Sequence, residues 1–277
     1  RTGIGMVCAH GDVEIVPGVQ KNVIGCNWKI AVDNLFDWYH VPYSHGSANT
    51  AGFVDIARIQ HPKEQLVMLG EYGHAIGGPG LPAERQAELD AMTDEEREAA
   101  SRAQPANSDR FRPRSAAELM GPVGVRSFGH PNIFPNLWIT LSGMQMCLRL
   151  PRGPSATELW WFTIVPKNAP PPLRQRMIQM AGHIFGPAGL LEQDDGDNWS
   201  QSTRSARGVA SRKLGQFIGM GLGHGEVADA GNGARAVEGQ ISEHGQRWLY
   251  RAWTEWMAAR DWADLKANHS PPPTGVI

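Results

Sequence analysis

Asn27-Trp28-Lys29-Ile30-Ala31-Val32-Asp33-Asn34-Leu35-Phe36-Asp37-Trp38-Tyr39-His40-Val41-Pro42-Tyr43-Ser44-His45 sets two imidazoles and an acid close together in an aromatic, mostly apolar setting. Such imidazoles become metal ligands when a third group completes the set. Two histidines and one carboxylate on one face of an iron leave the opposite face open. The acids that can complete it lie far downstream, in Leu190-Leu191-Glu192-Gln193-Asp194-Asp195-Gly196-Asp197-Asn198-Trp199. Asp37 and His40 share a face if that stretch is helical. His40 and His45 would point about 140° apart on an ideal helix. Both reach one metal only if the helix distorts or ends between them, and Pro42, which lacks an amide hydrogen, sits there.

Working outward, residues 12–33 alternate apolar and polar groups and read as strand leading into a helix, with Asp33 as a candidate cap for a helix carrying Asp37 and His40. Residues 46–80 are Gly-rich with strand-like pieces, among them Gln65–Leu69. Residues 82–103 are highly charged and read as a solvated surface helix. Thr157–Val165, rich in aromatic and β-branched groups, is the clearest strand. A helix is expected over Leu173–Phe185, then a second carrying the acidic cluster, with Pro187 suited to its first turn. Residues 219–237 read as glycine-rich loop, Ser242–Trp262 as a long helix with Trp248, Leu249, Trp253, Trp256 and Met257 on one face, and Pro271–Pro273 as the start of a tail. Strands followed by long packed helices, with no repeat and no composition break, argue a single α+β domain over residues 1–277.

Composition narrows the function. A formal net charge of -2 without a basic run argues against nucleic acid as a partner, and no apolar run approaches the length of a membrane span. Cys8, Cys26 and Cys147 are widely spaced, which suggests a reducing compartment, hence the cytoplasm, rather than a disulfide framework. No signal-peptide pattern heads the chain, and a start at Arg1 suggests a fragment. Ten Trp and ten Met suit a large core and a cavity for a flat apolar ligand.

Asp-x2-His-x4-His after Asn27-Trp28-Lys29 resembles the iron-binding motif of the Rieske non-haem iron ring-hydroxylating oxygenases. Further pieces, in order, resemble the large (α) subunits of that family: Phe134-Pro135-Asn136-Leu137, the Pro151-Arg152-Gly153-Pro154 to Pro166-Lys167 region, Phe185–Gly189 with Glu192–Asp195, and Ile241–Gln246. The resemblance implies an antiparallel sheet wrapped around a long C-terminal helix, a helix-grip (START-like) arrangement. It implies mononuclear Fe(II) on His40, His45 and Asp195, with Asp194 and Asp197 as the other candidate acids. Asp37 would bridge a ligand histidine to the electron-donating cluster of a neighbouring subunit, and Asn34, Leu35, Phe185 and Leu191 would line the substrate pocket.

The implied reaction is O2-dependent cis-dihydroxylation of an apolar aromatic ring, with NAD(P)H electrons passed through a reductase or ferredoxin. The implied assembly is α3 or α3β3 with a small β subunit. The family's [2Fe–2S] Rieske domain is expected to be missing from this chain: Cys8-Ala9-His10 matches one of its ligand pairs, but Lys29 stands where the second histidine after Cys26 belongs, and an ammonium cannot replace a neutral imidazole on iron. A metal-free module of the same fold for hydrophobic ligands, and a Rieske-type monooxygenase or demethylase, are the alternatives. The apolar pocket candidates favour a hydrocarbon-like substrate, unless Arg126, Arg149 or Arg152 faces inward to hold a carboxylate. His10, His61, His74, His130, His183, His224, His244 and His269 read as surface or satisfied core histidines.

Overall fold

Alternating burial along two long neighbouring strands organises the molecule. The computed structural model describes residues 1–53, 64–103, 111–140, 145–231 and 233–277; His61 and the 141–144 stretch fall outside them. The strands are β1 (Val13–Ile15), β2 (Gln20–Ile24), β3 (Gln65–Leu69), β4 (Ala75–Gly77), β5 (His130–Ile133), β6 (Leu137–Thr140), β7 (Gln145–Pro151), β8 (Thr157–Pro166), β9 (Glu226–Gly231), β10 (Ala234–Gly239) and β11 (Gly275–Val276). They form one sheet in the order β1-β8-β7-β6-β5-β4-β3-β10-β9-β11, with β2 also on β8. Every pairing among the described strands is antiparallel.

Gln145, Cys147 and Arg149 of β7 are buried while the residues between them are only partly so, as the period of two requires when one face meets the core. Trp138 pairs with Cys147 and Cys147 with Trp161, so two indoles flank a thiol across three strands of the inner face.

The helices are α1 (Thr2–Cys8), α2 (Trp28–Asp33), α3 (Val41–Ser44), α4 (Gly46–Thr50), α5 (Ala83–Ala91), α6 (Asp94–Ala103), α7 (Ala116–Met120), α8 (Pro171–Ile184), α9 (Leu190–Ser205), α10 (His244–Ala258) and α11 (Trp262–Asn268). α10 packs on β3, β4 and α2, burying Trp248, Leu249 and Ala252, and Trp248 Nε1 donates to the Gly70 carbonyl at 2.9 Å. This is the expected α+β arrangement of a large antiparallel sheet with a C-terminal helix on it.

Several local expectations need correction. The helix before the histidines starts after Asn27, whose side chain accepts from Lys29 N, and stops at Asp33, which is its last residue and not its cap. Asp37 instead accepts from the His40 amide at 3.1 Å, a local turn that competes with helix. Pro42 opens α3 rather than ending a helix, since its fixed φ suits a first turn. α9 begins at Leu190 behind Gly189, so Pro187 lies before it. The 219–237 region is not all loop: β9 and β10 form a hairpin around Gly231 and Gly233, both at positive φ, and short Ala and Val residues there left little strand signal.

The charged 82–103 stretch is two helices, and Arg97 in it is buried, holding Asp90 and the Arg112 carbonyl. The long C-terminal helix ends at Ala258, a second begins behind the capping Asp261, and Met257 is exposed. The tail returns as β11 on β9.

Phe36, just ahead of the histidines, is a wedge. A Cβ at Gly77 of β4 would lie 2.7 Å from its ring, and a Cβ at Gly245 of α10 also 2.7 Å. The loop is thereby clamped between sheet and helix. Gly245→Ala should therefore destabilise by about 1–3 kcal/mol through overpacking, although helix propensity alone predicts a gain of about 1 kcal/mol. Urea denaturation decides between the two signs.

Candidate metal centre

Short, locally capped segments deliver the two histidines. His40 closes the Asp37 turn, and His45 sits at the junction of α3 and α4 with φ -97° and ψ 27°. The break between the two lets both imidazoles turn toward α9, which a continuous helix would forbid. On α9, Glu192, Asp195 and Trp199 form one buried stripe at helical spacing. Asp195 Oδ1 lies 3.4 Å from His40 Nε2 and 3.4 Å from His45 Nε2. One ligand atom from each of His40, His45 and Asp195 lies within 4.8 Å of the others, the one such grouping among the described residues.

The far side of each imidazole is held separately. His45 Nδ1 faces Asp194 Oδ2 at 3.4 Å, and Ser47 Oγ donates to that same oxygen at 2.7 Å. His40 Nδ1 meets the Asp37 carbonyl and lies 3.6 Å from Asp37 Oδ1. Acceptors at both Nδ1 atoms favour tautomers whose bare Nε2 lone pairs face Asp195, as metal-ligating histidines require. Asp195 Oδ1 is buried and has no hydrogen-bond partner. An orphaned buried carboxylate oxygen facing two imidazole nitrogens fits a divalent cation with bonds of about 2.0–2.2 Å. Asp194 is occupied with His45 and Ser47, and Asp197 is exposed, so neither joins the set.

Without a cation between them, a proton on His40 takes the place of one. Burial pulls the His40 pKa down, but the Asp195 and Asp37 carboxylates outweigh it and push it up to about 10. Burial, with the Asp37 and Glu243 charges, raises Asp33 to about 7. His130, set aside in the sequence reading, packs at a tilt against Trp38 at 4.8 Å and is held neutral, pushed down to about 3 by burial and then by the Arg149 and His40 charges. No spacing signal ties His130 to the motif; β5 alone brings it there. His74, exposed, and His269, half-buried, are satisfied by accepting from the Phe134 and Tyr72 amides, in keeping with the surface-or-satisfied reading of the sequence.

Of the residues expected to line a pocket, Leu35 and Phe185 belong to the main core cluster, with Leu191 packed against it. Phe185 stacks on Trp161 at 5.3 Å and meets Trp138 at 4.8 Å. Asn34 is half-buried at the C-terminus of α2. A cavity of about 1100 Å³ lined by Lys29, Arg207, Arg212 and Tyr250 contains none of the three clustered groups, so the metal chemistry belongs to the seam between α9 and the histidine segment.

The family model for the ring hydroxylating alpha subunit (catalytic domain) matches residues 9–259. The chain is 31% identical over 265 residues to the biphenyl 2,3-dioxygenase alpha subunit of Rhodococcus jostii (strain RHA1), covering 92% of this chain and 55% of that one. It is 29% identical over 268 residues to a benzene 1,2-dioxygenase alpha subunit of Pseudomonas putida, covering 92% and 57%. The structure of naphthalene 1,2-dioxygenase from Rhodococcus sp. bound to indole superposes with a TM-score of 0.69 at 26% identity, over 93% of this chain and 60% of that one. The chain thus spans a little over half the length of the curated relatives it matches. No helix among the described residues is long and apolar enough to cross a membrane.

A divalent ion must displace the proton that His40 holds. In the metal-free protein the folded pKa, about 10, exceeds the ordinary 6.5. The proton's stabilising contribution is therefore full below pH 6.5 and lost as pH rises toward 10. Apparent Co(II) affinity should increase with pH by up to about tenfold per unit between roughly pH 7 and 9. Titrations at fixed ionic strength measure it, and a flat profile contradicts the His40 assignment.

Proposed function

The chain belongs to the ring-hydroxylating alpha-subunit (catalytic domain) family, and from that membership we propose that it is the terminal oxygenase part of an aromatic ring-hydroxylating dioxygenase. The reaction is O2-dependent cis-dihydroxylation of an aromatic ring, driven by NAD(P)H electrons. One observation carries the reading: two imidazole Nε2 atoms and a buried, otherwise unpartnered carboxylate oxygen converge at 3.4 Å. A hydrophobic-ligand carrier of the same fold has no use for that arrangement. Biphenyl, benzene and naphthalene stand in the names of the related dioxygenases, and the same aromatic class is proposed here.

His40, His45 and Asp195 would hold ferrous iron, which when bound would supply the oxygen chemistry. The chain's own residues supply geometry. Asp194 and Asp37 keep the imidazoles oriented through Nδ1. Leu35, Phe185 and Leu191, with Asn34 at the edge, hold an apolar ring by burial and exclude water. Fixing the ring against a rigid aromatic wall selects which edge is presented to the reacting oxygen. Asp37, half-buried and next to His40, is the bridge to an electron-donating [2Fe–2S] Rieske cluster carried outside these residues. A ferredoxin or reductase completes the supply, in an α3 or α3β3 assembly in the cytoplasm.

With its redox partners, NAD(P)H and ¹⁸O2, the protein should place both atoms of one O2 in the product; a single labelled oxygen would overturn dioxygenation. His45→Ala should lose bound iron and turnover together, and an iron-replete His45→Ala protein contradicts the ligand set. Asp37→Asn should keep its iron but slow reductase-driven turnover by about 10- to 100-fold. Unchanged turnover removes the bridging role.

A further inference from the structure

Of the three arginines open as carboxylate anchors, Arg126 is paired with Glu238, and Arg152, which is exposed, with Glu158. Arg149 is fully buried, at 0% exposure, and the carboxylates it faces are the protein's own. Burial draws its pKa down. Against that act the Cys147 thiol, then the Glu192 carboxylate, then Asp195, one of the three groups assigned to the metal.

The strand register shows how these charges meet. Asn22 of β2 stands opposite Leu159 of β8, and Leu159 opposite Arg149 of β7, so the three lie on the inner face along one line across the strands. α9 packs on this part of the sheet, with Glu192, Asp195 and Trp199 as its buried stripe. The Arg149 guanidinium lies 4.6 Å from the Trp138 ring centre and 5.6 Å from that of Trp199. Glu192 and Trp199 are about two helical turns apart, and Asp195 sits between them on the same stripe. A guanidinium that meets both ends of the stripe therefore runs alongside Asp195.

Two buried carboxylates thus stand within reach of one guanidinium. Burial pushes the Glu192 carboxyl up, and the Arg149 charge is the largest pull in the other direction. A guanidinium and a carboxylate make one of the strongest side-chain pairs. A buried charge that loses its partner takes another or destabilises the fold. If Arg149 paired with Asp195, a metal ion would have to displace it. Glu192, one turn earlier on the same helix face, is the group that engages it instead.

We propose that Glu192 is a positioning residue for the metal centre: it keeps the Arg149 guanidinium on its own carboxylate and so leaves Asp195 free for a divalent ion. The inference rests on the metal site of His40, His45 and Asp195.

Co(II) binding to the metal-free chain tests it, read by equilibrium dialysis and by the visible absorption of the bound ion, with circular dichroism to confirm the fold. Glu192→Gln keeps the shape of the side chain and removes its charge. Arg149 then takes Asp195 as partner, and Co(II) affinity should fall by about 10- to 100-fold. Removing the guanidinium as well, in Glu192→Gln/Arg149→Met, should return affinity to within about threefold of wild type, because the competitor for Asp195 is gone. Arg149→Met alone should bind Co(II) at least as tightly as wild type. A folded Glu192→Gln protein with wild-type affinity overturns the proposal. So does a double variant as weak as Glu192→Gln, since the loss then lies in the packing of α9. If Glu192→Gln does not fold, Arg149→Met still decides: weaker Co(II) binding by that folded variant shows a guanidinium that supports Asp195 rather than competing for it, and overturns the proposal. Wild type that binds no Co(II) defeats the metal-site reading itself, whereas wild-type binding that none of these substitutions alters defeats only this inference.

Discussion

Burial of the Asp195 carboxylate governs the architecture around it. A carboxylate taken out of water costs several kcal/mol unless a cation meets it. Here no group meets its Oδ1 in hydrogen-bond geometry, and two imidazole nitrogens stand 3.4 Å away. Without metal, a proton retained by His40 is the available compensation, which is why that imidazole is driven up to about 10. A divalent ion satisfies the same carboxylate and also takes up both lone pairs. The protonated and metal-bound states thus compete for one geometry, and the chain is folded to provide it.

That geometry requires rigidity on three sides. α9 presents Glu192, Asp195 and Trp199 as one stripe toward the inner face of β7, where Arg149 lies against Trp199. Phe36 pins the histidine segment between Gly77 and Gly245, and Trp38 Nε1 fixes the following turn by donating to the Gly77 carbonyl at 2.9 Å. Separate aspartates, Asp37 and Asp194, then hold the two rings from behind. Each restraint comes from a different element, so the ligand atoms converge only when the sheet, α9 and α10 are packed together. The same packing makes the interior beside the triad aromatic, with Trp138, Trp161 and Phe185 in mutual contact.

Where the sequence reading went wrong, local signals were overridden or too weak. Asp33 resembles a helix cap, but Asn27 captures the helix start and the Asp37 side chain turns the backbone at His40. The Gly231–Gly233 hairpin is built from alanine and valine with few aromatics, so β9 and β10 carried little strand propensity and were stabilised by pairing with β3 and β11 instead. The tryptophan face of the last long helix was legible by its period, except at Met257, where the helix leaves the sheet and the side chain is exposed.

The sequence by itself determined the local spacing of His40 and His45 around Pro42, an acidic run downstream, and an α+β order of strands then helices, because a linear chain records near-neighbour chemistry and periodicity directly. The antiparallel sheet around a C-terminal helix was implied by the resemblance to a family. Only the tertiary structure decided that Asp195, rather than Asp194 or Asp197, faces both imidazoles, because three acids within four positions differ only in which side of α9 is packed. It alone brought His130 beside His40, and it alone separated buried Arg149 from the surface-paired Arg152. Contacts between residues a hundred positions apart depend on how strands pair and helices dock, and that information belongs to the packed whole.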